Sequence, residues 1–140
     1  MNVIVCIDDR DGMMFNGRRQ SRDRAVAEDI ASLCGEHRLL MNEFSQKMFL
    51  KYGISDVVVS EDFLQMAESE DYCFVENCSI KSVSDRLEQA VIYRWNRSYP
   101  ADVYFERELI ENWGLKEIKD FEGSSHEKIT REVYERPVEK

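Results

Sequence analysis

The apolar positions before Pro100 fall into short runs, and these runs alternate with segments whose apolar residues repeat at helical spacing. Short apolar runs that are bounded by turn residues are typical of buried strands. The pattern predicts strands at residues 3–7, 37–42, 56–60, 72–75 and 91–93. Because strands alternate with helices, the sequence predicts an α/β fold with a mainly parallel sheet.

Four segments between these strands have the spacing or the end signals of helices. The N-cap residue Asp23 begins the first helix, and Gly53 ends the second. A short third helix is predicted at residues 63–66, and Ser82 with Asp85 forms a capping signal for the fourth. The predicted apolar faces are Val26, Ile30, Leu33 and Cys34; Phe44, Met48, Phe49 and Tyr52; and Val83, Leu87 and Ala90.

After Pro100 the pattern changes to strands without intervening helices, at residues 103–105, 113–121 and 129–134. The turn residues Gly123-Ser124-Ser125 predict a hairpin between the last two strands. With 140 residues, we expect one domain, residues 1–140, with a sheet of about eight strands, flanking helices and an antiparallel C-terminal hairpin.

The charge of the chain limits the classes of partner. Its formal net charge is −9 and its sequence pI is about 4.8. Proteins that coat nucleic acid or bind anionic membranes need a positive face, so we expect neither partner. The N-terminus has no signal-peptide pattern and no apolar run is long enough for a bilayer, which predicts a cytoplasmic protein.

Cysteine and histidine usage argues against a metal site. The cysteines lie in or beside apolar runs without a C-x-x-C pair, and the chain has only two histidines. We therefore expect reduced, packed thiols rather than disulfides or zinc ligands. The cysteines are Cys6, Cys34, Cys73 and Cys78.

The connection between the first strand and the first helix is rich in arginine. It carries Arg18, Arg19, Arg22 and Arg24. Such connections bind ligands in many α/β proteins, and guanidinium groups form paired hydrogen bonds with phosphate or carboxylate. The alternative is a solvated loop that pairs with some of the chain's 28 acidic residues.

The order of the elements resembles the dihydrofolate reductase family over nearly the whole chain. Residues 2–8 are similar to its first strand, residues 9–22 to the mobile loop over its active site, and residues 82–95 to the helix and strand leading to the cofactor. The closing strands resemble the family's final hairpin. The resemblance implies a dihydrofolate-reductase-like fold. It also implies that Asp29 matches the acid that orients and helps protonate a pterin.

Three departures from the family pattern predict that reductase chemistry is lost. The paired glycines that admit the cofactor pyrophosphate are replaced by Arg94-Trp95-Asn96-Arg97. The second helix opens with Glu43-Phe44-Ser45, where only Ser45 is suited to a cofactor phosphate. The active-site loop also lacks the usual Trp and Pro residues. NADPH is expected only under the alternative that the chain still reduces a pterin-like substrate.

The family layout makes the C-terminal ends of the first and fifth strands neighbours, which brings Arg94 and Arg97 to the same crevice as the arginine connection. Trp95 then forms an aromatic wall, with core packing as the alternative. For Asp29, the candidate catalytic residue, the alternative is an exposed helix carboxylate. The sequence predicts a small anionic or nucleotide-like ligand bound by Arg18, Arg19, Arg22, Arg94, Trp95 and Arg97.

Two other functions remain open. The arginine connection suits a protein-docking module. Asp9-Arg10-Asp11-Gly12 resembles the haloacid-dehalogenase phosphohydrolase signature, with Asp9 as nucleophile, Asp11 as acid and base, and a bound magnesium ion. Ser60 and Lys81 are the candidates for its other groups. The sequence leaves open whether the protein is an enzyme, and it does not determine the oligomeric state.

Two polar groups near the C-terminus have simple interpretations. Ser124-Ser125-His126 is interpreted as a turn, because neighbouring residues on a hairpin do not form a catalytic triad without a third partner. The C-terminal glutamates are predicted to be solvated charges. They are Glu132, Glu135 and Glu139.

Overall fold

The computed structural model describes residues 1–138. The strands are β1 (Asn2–Ile7), β2 (Gly12–Phe15), β3 (Arg18–Arg19), β4 (Leu39–Met41), β5 (Val58–Val59), β6 (Tyr72–Phe74), β7 (Gln89–Arg94), β8 (Val103–Tyr104), β9 (Gly114–Phe121) and β10 (Ile129–Glu135). The helices are α1 (Arg24–Cys34), α2 (Glu43–Lys51) and α3 (Phe63–Met66). Two 3-10 segments cover Lys81–Arg86 and Arg107–Ile110.

The main sheet has the strand order β5-β4-β6-β1-β7-β10-β9. Strands β5, β4, β6, β1 and β7 are parallel to one another, and β10 pairs with β7 and β9 in antiparallel orientation. This confirms the predicted α/β fold, with a mainly parallel sheet and an antiparallel C-terminal hairpin. The C-terminal ends of β1 and β7 are neighbours, since Ile7 pairs with Arg94. That edge is where an open α/β sheet binds its ligands.

Both faces of the main sheet are covered around β1, and this explains why β1 is apolar from Val3 to Ile7. Val3, Val5 and Ile7 pack into the cluster on one face, while Ile4 packs with α1 and α2 on the other. Successive side chains of a strand point to opposite faces, so a strand in the middle of a covered sheet needs apolar residues throughout. The structure therefore explains the continuous run that predicted this strand.

The first two helices begin as the sequence predicted. The Asp23 side chain accepts hydrogen bonds from the N–H groups of Ala25 and Val26, and the Asn42 side chain accepts one from the N–H of Ser45. These bonds satisfy backbone donors that have no partner within the first turn of a helix. The caps fix where α1 and α2 start beside the sheet edge.

The fourth predicted helix is wrong in type and extent. Lys81–Arg86 forms a 3-10 segment without a side-chain cap, and Ala90 belongs to β7. Leu87 is already extended, with φ −72° and ψ 133°. Gln89 already pairs with Asn2 of β1, so the segment before β7 ends earlier than the predicted helix.

The arginine connection contains a hairpin that the sequence analysis did not predict. Asn16 and Gly17 have φ values of 52° and 73°, and they join β2 to β3. Asn-Gly is a favoured pair where a hairpin turn requires two positive φ angles. Because β8 pairs with β2 in a separate three-stranded sheet, the main sheet has seven strands rather than eight.

Three further predictions concern the thiols, the membrane and the C-terminal glutamates. The four cysteines are free thiols, as expected. None of the helices in residues 1–138 has the length and apolarity to cross a membrane. Glu132 is buried and ion-paired rather than solvated, because β10 lies between β7 and β9. Glu139 lies outside the described residues.

Candidate functional site

Two adjoining cavities open at the C-terminal edge of the main sheet, and we call them together the arginine crevice. The inner cavity is small, with a volume of about 20 Å³, and the outer groove has a volume of about 630 Å³. Arg19, Ser21 and Arg22 line both cavities. The inner cavity is otherwise lined by Cys6, Met13, Asp23, Val26, Ala27, Ile30, Met48, Phe74, Glu76 and Trp95, and the groove by Gly17, Arg18 and Phe44.

The arginines at the crevice differ in how free their charges are. Arg19 forms two hydrogen bonds to the buried carboxylate of Glu76, with N–O distances of 2.9 and 3.0 Å. Its guanidinium also lies over the Phe44 ring. Arg18 and Arg22 form no salt bridge with any other residue in the described part of the chain. Arg18 and Arg22 therefore carry the positive charge at the mouth of the crevice.

Trp95 lies at the inner end of the crevice. Its side chain is buried, and its indole stacks on the ring of His126 with centroids 4.7 Å apart. Trp95 is therefore a packed core residue, which was the alternative predicted for it, and its ring also borders the inner cavity.

Arg94 and Arg97 do not line either cavity. Arg94 points to the opposite face of the sheet from Trp95, and its Nε donates to Glu132 at 2.9 Å. Arg97 is exposed, and its carbonyl accepts a hydrogen bond from the N–H of Asp9. The parallel pairing of β1 and β7 brings the backbone of these residues to the C-terminal edge of the sheet, as predicted. Because side chains alternate along a strand, however, Arg94 points away from the crevice.

Asp29 does not line either cavity, and its side chain lies between α1 and the main sheet. Its carboxylate accepts hydrogen bonds from the Tyr93 hydroxyl and from Arg131, both at 2.6 Å. Burial, followed by the bond to Asp29, raises the pKa of Tyr93 well above its ordinary value. Asp29 is therefore an ion-paired group between a helix and the sheet rather than the exposed carboxylate of the alternative interpretation.

Two buried carboxylates at the crevice, Glu76 and Asp23, were not predicted as site residues from the sequence. Glu76 follows β6 and accepts a hydrogen bond from the Ser45 hydroxyl at 2.7 Å, besides its two bonds from Arg19. Asp23 had been assigned only as a helix cap. The available signal was that both residues directly border predicted elements at the sheet edge where α/β proteins bind ligands.

Asp23 joins three parts of the chain through one buried carboxylate. It caps α1, accepts hydrogen bonds from the N–H groups of Ser124 and Ser125 at 2.9 and 2.8 Å, and lies 2.9 Å from Nδ1 of His126. Burial would raise its pKa, but these hydrogen bonds outweigh burial and lower the pKa to about 2. The carboxylate is therefore ionised at neutral pH despite its burial.

Acid is expected to weaken the fold through Asp23. Its pKa is about 2 in the folded chain, below the ordinary carboxyl value, so its contribution is full above about pH 4 and is lost as the pH falls toward 2. Between these pH values the free energy of unfolding is expected to fall by about 2 kcal/mol. Urea unfolding across this window measures it, with Asp23→Asn as the variant that lacks the titrating group. Equal pH dependence in the wild type and the variant would contradict the assignment.

The carboxylates of the phosphohydrolase alternative do not form a shared site. Asp11 accepts two hydrogen bonds from Arg107, at 2.7 and 2.8 Å, while Asp9 is exposed. Ser60 follows β5, which β4 and β6 separate from β1. Among residues 1–138 no cluster of histidine, cysteine or acidic side chains has the arrangement of a metal site.

Comparison with known proteins shows the fold of the chain. No family model and no curated protein matches it. Among solved structures, dihydrofolate reductase from Enterococcus faecalis, complexed with NADP(H) and RAB-propyl, matches with a TM-score of 0.68 and 9% sequence identity. The match covers 98% of this chain and 96% of that one. The chain therefore has a divergent dihydrofolate-reductase-like fold, as the order of its elements predicted.

Proposed function

We propose that the arginine crevice binds a small anionic, nucleotide-like molecule. The observation that carries the proposal is that Arg18, Arg19 and Arg22 border one groove together with the ring of Phe44. The ligand lies in this groove, with its phosphate or carboxylate at Arg18 and Arg22 and its planar or apolar group against Phe44. Pockets of this kind combine an apolar wall with a few converging polar groups.

The charges of the crevice support an anionic ligand despite the net charge of −9. The Glu76 carboxylate is balanced by Arg19, and the Asp23 carboxylate is surrounded by backbone N–H groups. Arg18 and Arg22 at the mouth remain to attract an anion, and a guanidinium binds phosphate in a paired geometry. A concave site of this form also favours a small ligand over the protein-docking alternative.

We also infer that the chain does not use NADPH as a reductase does, because the residues present do not fit the cofactor phosphates. Ser45, the residue best suited by sequence, is buried and donates its hydroxyl hydrogen to Glu76. Trp95 and its stacking on His126 fill the place where the family has glycine. Glu43 adds a negative charge at the start of α2.

Replacing Arg22 with glutamine is expected to weaken binding of an anionic ligand. Losing one charge-assisted hydrogen bond at a partly exposed site costs about 1.5 kcal/mol, which is about a tenfold rise in Kd. The measurement is thermal shift followed by calorimetric titration with adenine and guanine nucleotides, folates, NADP and NADPH, with and without magnesium. Saturating ligand should stabilise the wild type by several degrees.

The matched control is Lys119→Gln, which removes the same charge from the exposed face of β9. It should leave Kd unchanged. If both variants weaken binding equally, the ligand responds only to net charge and the proposed site is wrong. Stabilisation by NADPH or folate, with NADPH oxidation in the presence of dihydrofolate, would instead establish the reductase alternative. No shift with any ligand would favour docking of a protein.

A further inference from the structure

A chain of hydrogen bonds joins Ser21, His126 and Asp23 on the wall of the arginine crevice. The Ser21 hydroxyl oxygen lies 3.0 Å from Nε2 of His126, and Nδ1 of the same ring lies 2.9 Å from a carboxylate oxygen of Asp23. Ser21 lines both cavities, while His126 and Asp23 are buried behind it. In this geometry an imidazole can take the proton of a serine hydroxyl while a carboxylate orients the ring.

The surroundings of His126 fix its orientation. Because the Asp23 carboxylate is ionised, it accepts the Nδ1 hydrogen, and this tautomer leaves the Nε2 lone pair facing Ser21. Trp95 stacks on the ring and prevents it from turning. The Tyr99 hydroxyl lies 3.3 Å from the same Nε2 and is a second, longer hydrogen-bond donor to it.

We propose that Ser21 is a nucleophile and that the crevice hydrolyses an ester of a small anionic molecule. The inference rests on the proposed function for the anionic group of the substrate. The Ser21 oxygen forms a bond to the carbonyl carbon as His126 takes its proton. The ester C–O bond then breaks, and His126 returns the proton to the leaving alcohol. Water, deprotonated by His126, releases the acid and restores the Ser21 hydroxyl.

Neighbouring groups define the other requirements of this reaction. Arg22 follows Ser21 in the chain, borders both cavities and forms no salt bridge with the other residues between 1 and 138. In this reaction its guanidinium is the donor for the carbonyl oxygen, which becomes negative during attack, while Arg18 in the groove binds the anionic group of the substrate. Cys6 also borders the inner cavity, but burial followed by the charge of Glu76 raises the pKa of its thiol, so it is a poor nucleophile.

The test is covalent labelling of the full chain with an alkyl fluorophosphonate, which forms an O–P bond with an activated serine and releases fluoride. Peptide mass spectrometry should locate a single adduct on Ser21. Ser21→Ala should abolish this labelling. The control Ser98→Ala removes an exposed serine hydroxyl from the same edge of the sheet and should leave it unchanged.

The second variant is Asp23→Asn, which keeps a side chain that caps a helix but no longer holds the histidine tautomer. Labelling should slow by a factor on the order of 10² or more, while circular dichroism confirms that the chain is folded. Absence of an adduct on Ser21 of the folded wild type overturns the inference. If anions bind but Ser21 is not labelled, the proposed function is supported and the nucleophile is not. If Ser21 is labelled but anions do not bind, the nucleophile is supported and the anionic substrate is not.

Discussion

Replacing Glu76 with alanine is expected to lower the free energy of unfolding by about 3 kcal/mol or more. The substitution leaves Arg19 without the partner of its two hydrogen bonds and removes the acceptor of the Ser45 hydroxyl, which is buried. A charge or polar group that stays buried after its partner is removed costs more than the intact pair contributes. The measurement is the urea midpoint at constant slope.

Two controls separate this ion pair from a general effect of charge. Glu76→Gln keeps an acceptor oxygen and should lose less stability than Glu76→Ala. Glu127→Ala removes an exposed carboxylate from the turn between β9 and β10, and it should change the free energy of unfolding by less than about 0.5 kcal/mol. Because Glu76→Gln frees the charge of Arg19, it should also tighten anion binding. A stable Glu76→Ala variant would show that Arg19 finds another partner.

Replacing Gly123 with alanine is expected to cost about 2–3 kcal/mol of stability. A Cβ at this position would lie 2.6 Å from a carboxylate oxygen of Asp23 and 2.8 Å from the carbonyl oxygen of His126. Since the second atom is backbone, the turn itself must move, and the hydrogen bonds that the turn donates to Asp23 move with it. Thermal or urea unfolding of the variant measures the loss.

Gly114→Ala is the matched control for this turn substitution. A Cβ at Gly114 meets no atom within 4 Å, and the residue lies in β9 with ordinary strand geometry. This variant should be neutral or slightly stabilised, because alanine has less conformational freedom in the unfolded chain. If Gly123→Ala is equally stable, the packing of the turn against Asp23 does not hold the site.

The turn that contains Gly123 links the fold to the crevice. In the sequence this segment looked like a plain hairpin turn between β9 and β10. In the structure its N–H groups bind the carboxylate that also caps α1, and its histidine reaches Ser21 between β3 and α1. Hydrogen bonds therefore connect residues about a hundred positions apart in the chain. The C-terminal hairpin helps to build the site at the opposite end of the sequence.

Local patterns were sufficient for the elements whose signals are short-range. The run at residues 3–7 predicted β1, Asp23 predicted the start of α1, and the order of elements predicted a mainly parallel sheet with an antiparallel finish. Each depends on periodicity or a cap within a few residues. The fourth helix failed because pairing of β7 with β1 decides where the preceding segment must end.

The sequence by itself determined the α/β layout of this protein and the edge of the sheet at which the arginine connection lies. Only the tertiary structure decided which side chains meet there. Arg94 lies on the other face of the sheet, where it binds Glu132. Asp29 is ion-paired with Arg131. His126, in the turn before β10, contacts both Ser21 and Asp23. Such contacts join residues that are distant in sequence. Their geometry depends on the strand register and on the face of the sheet to which each side chain points, and no local pattern encodes either.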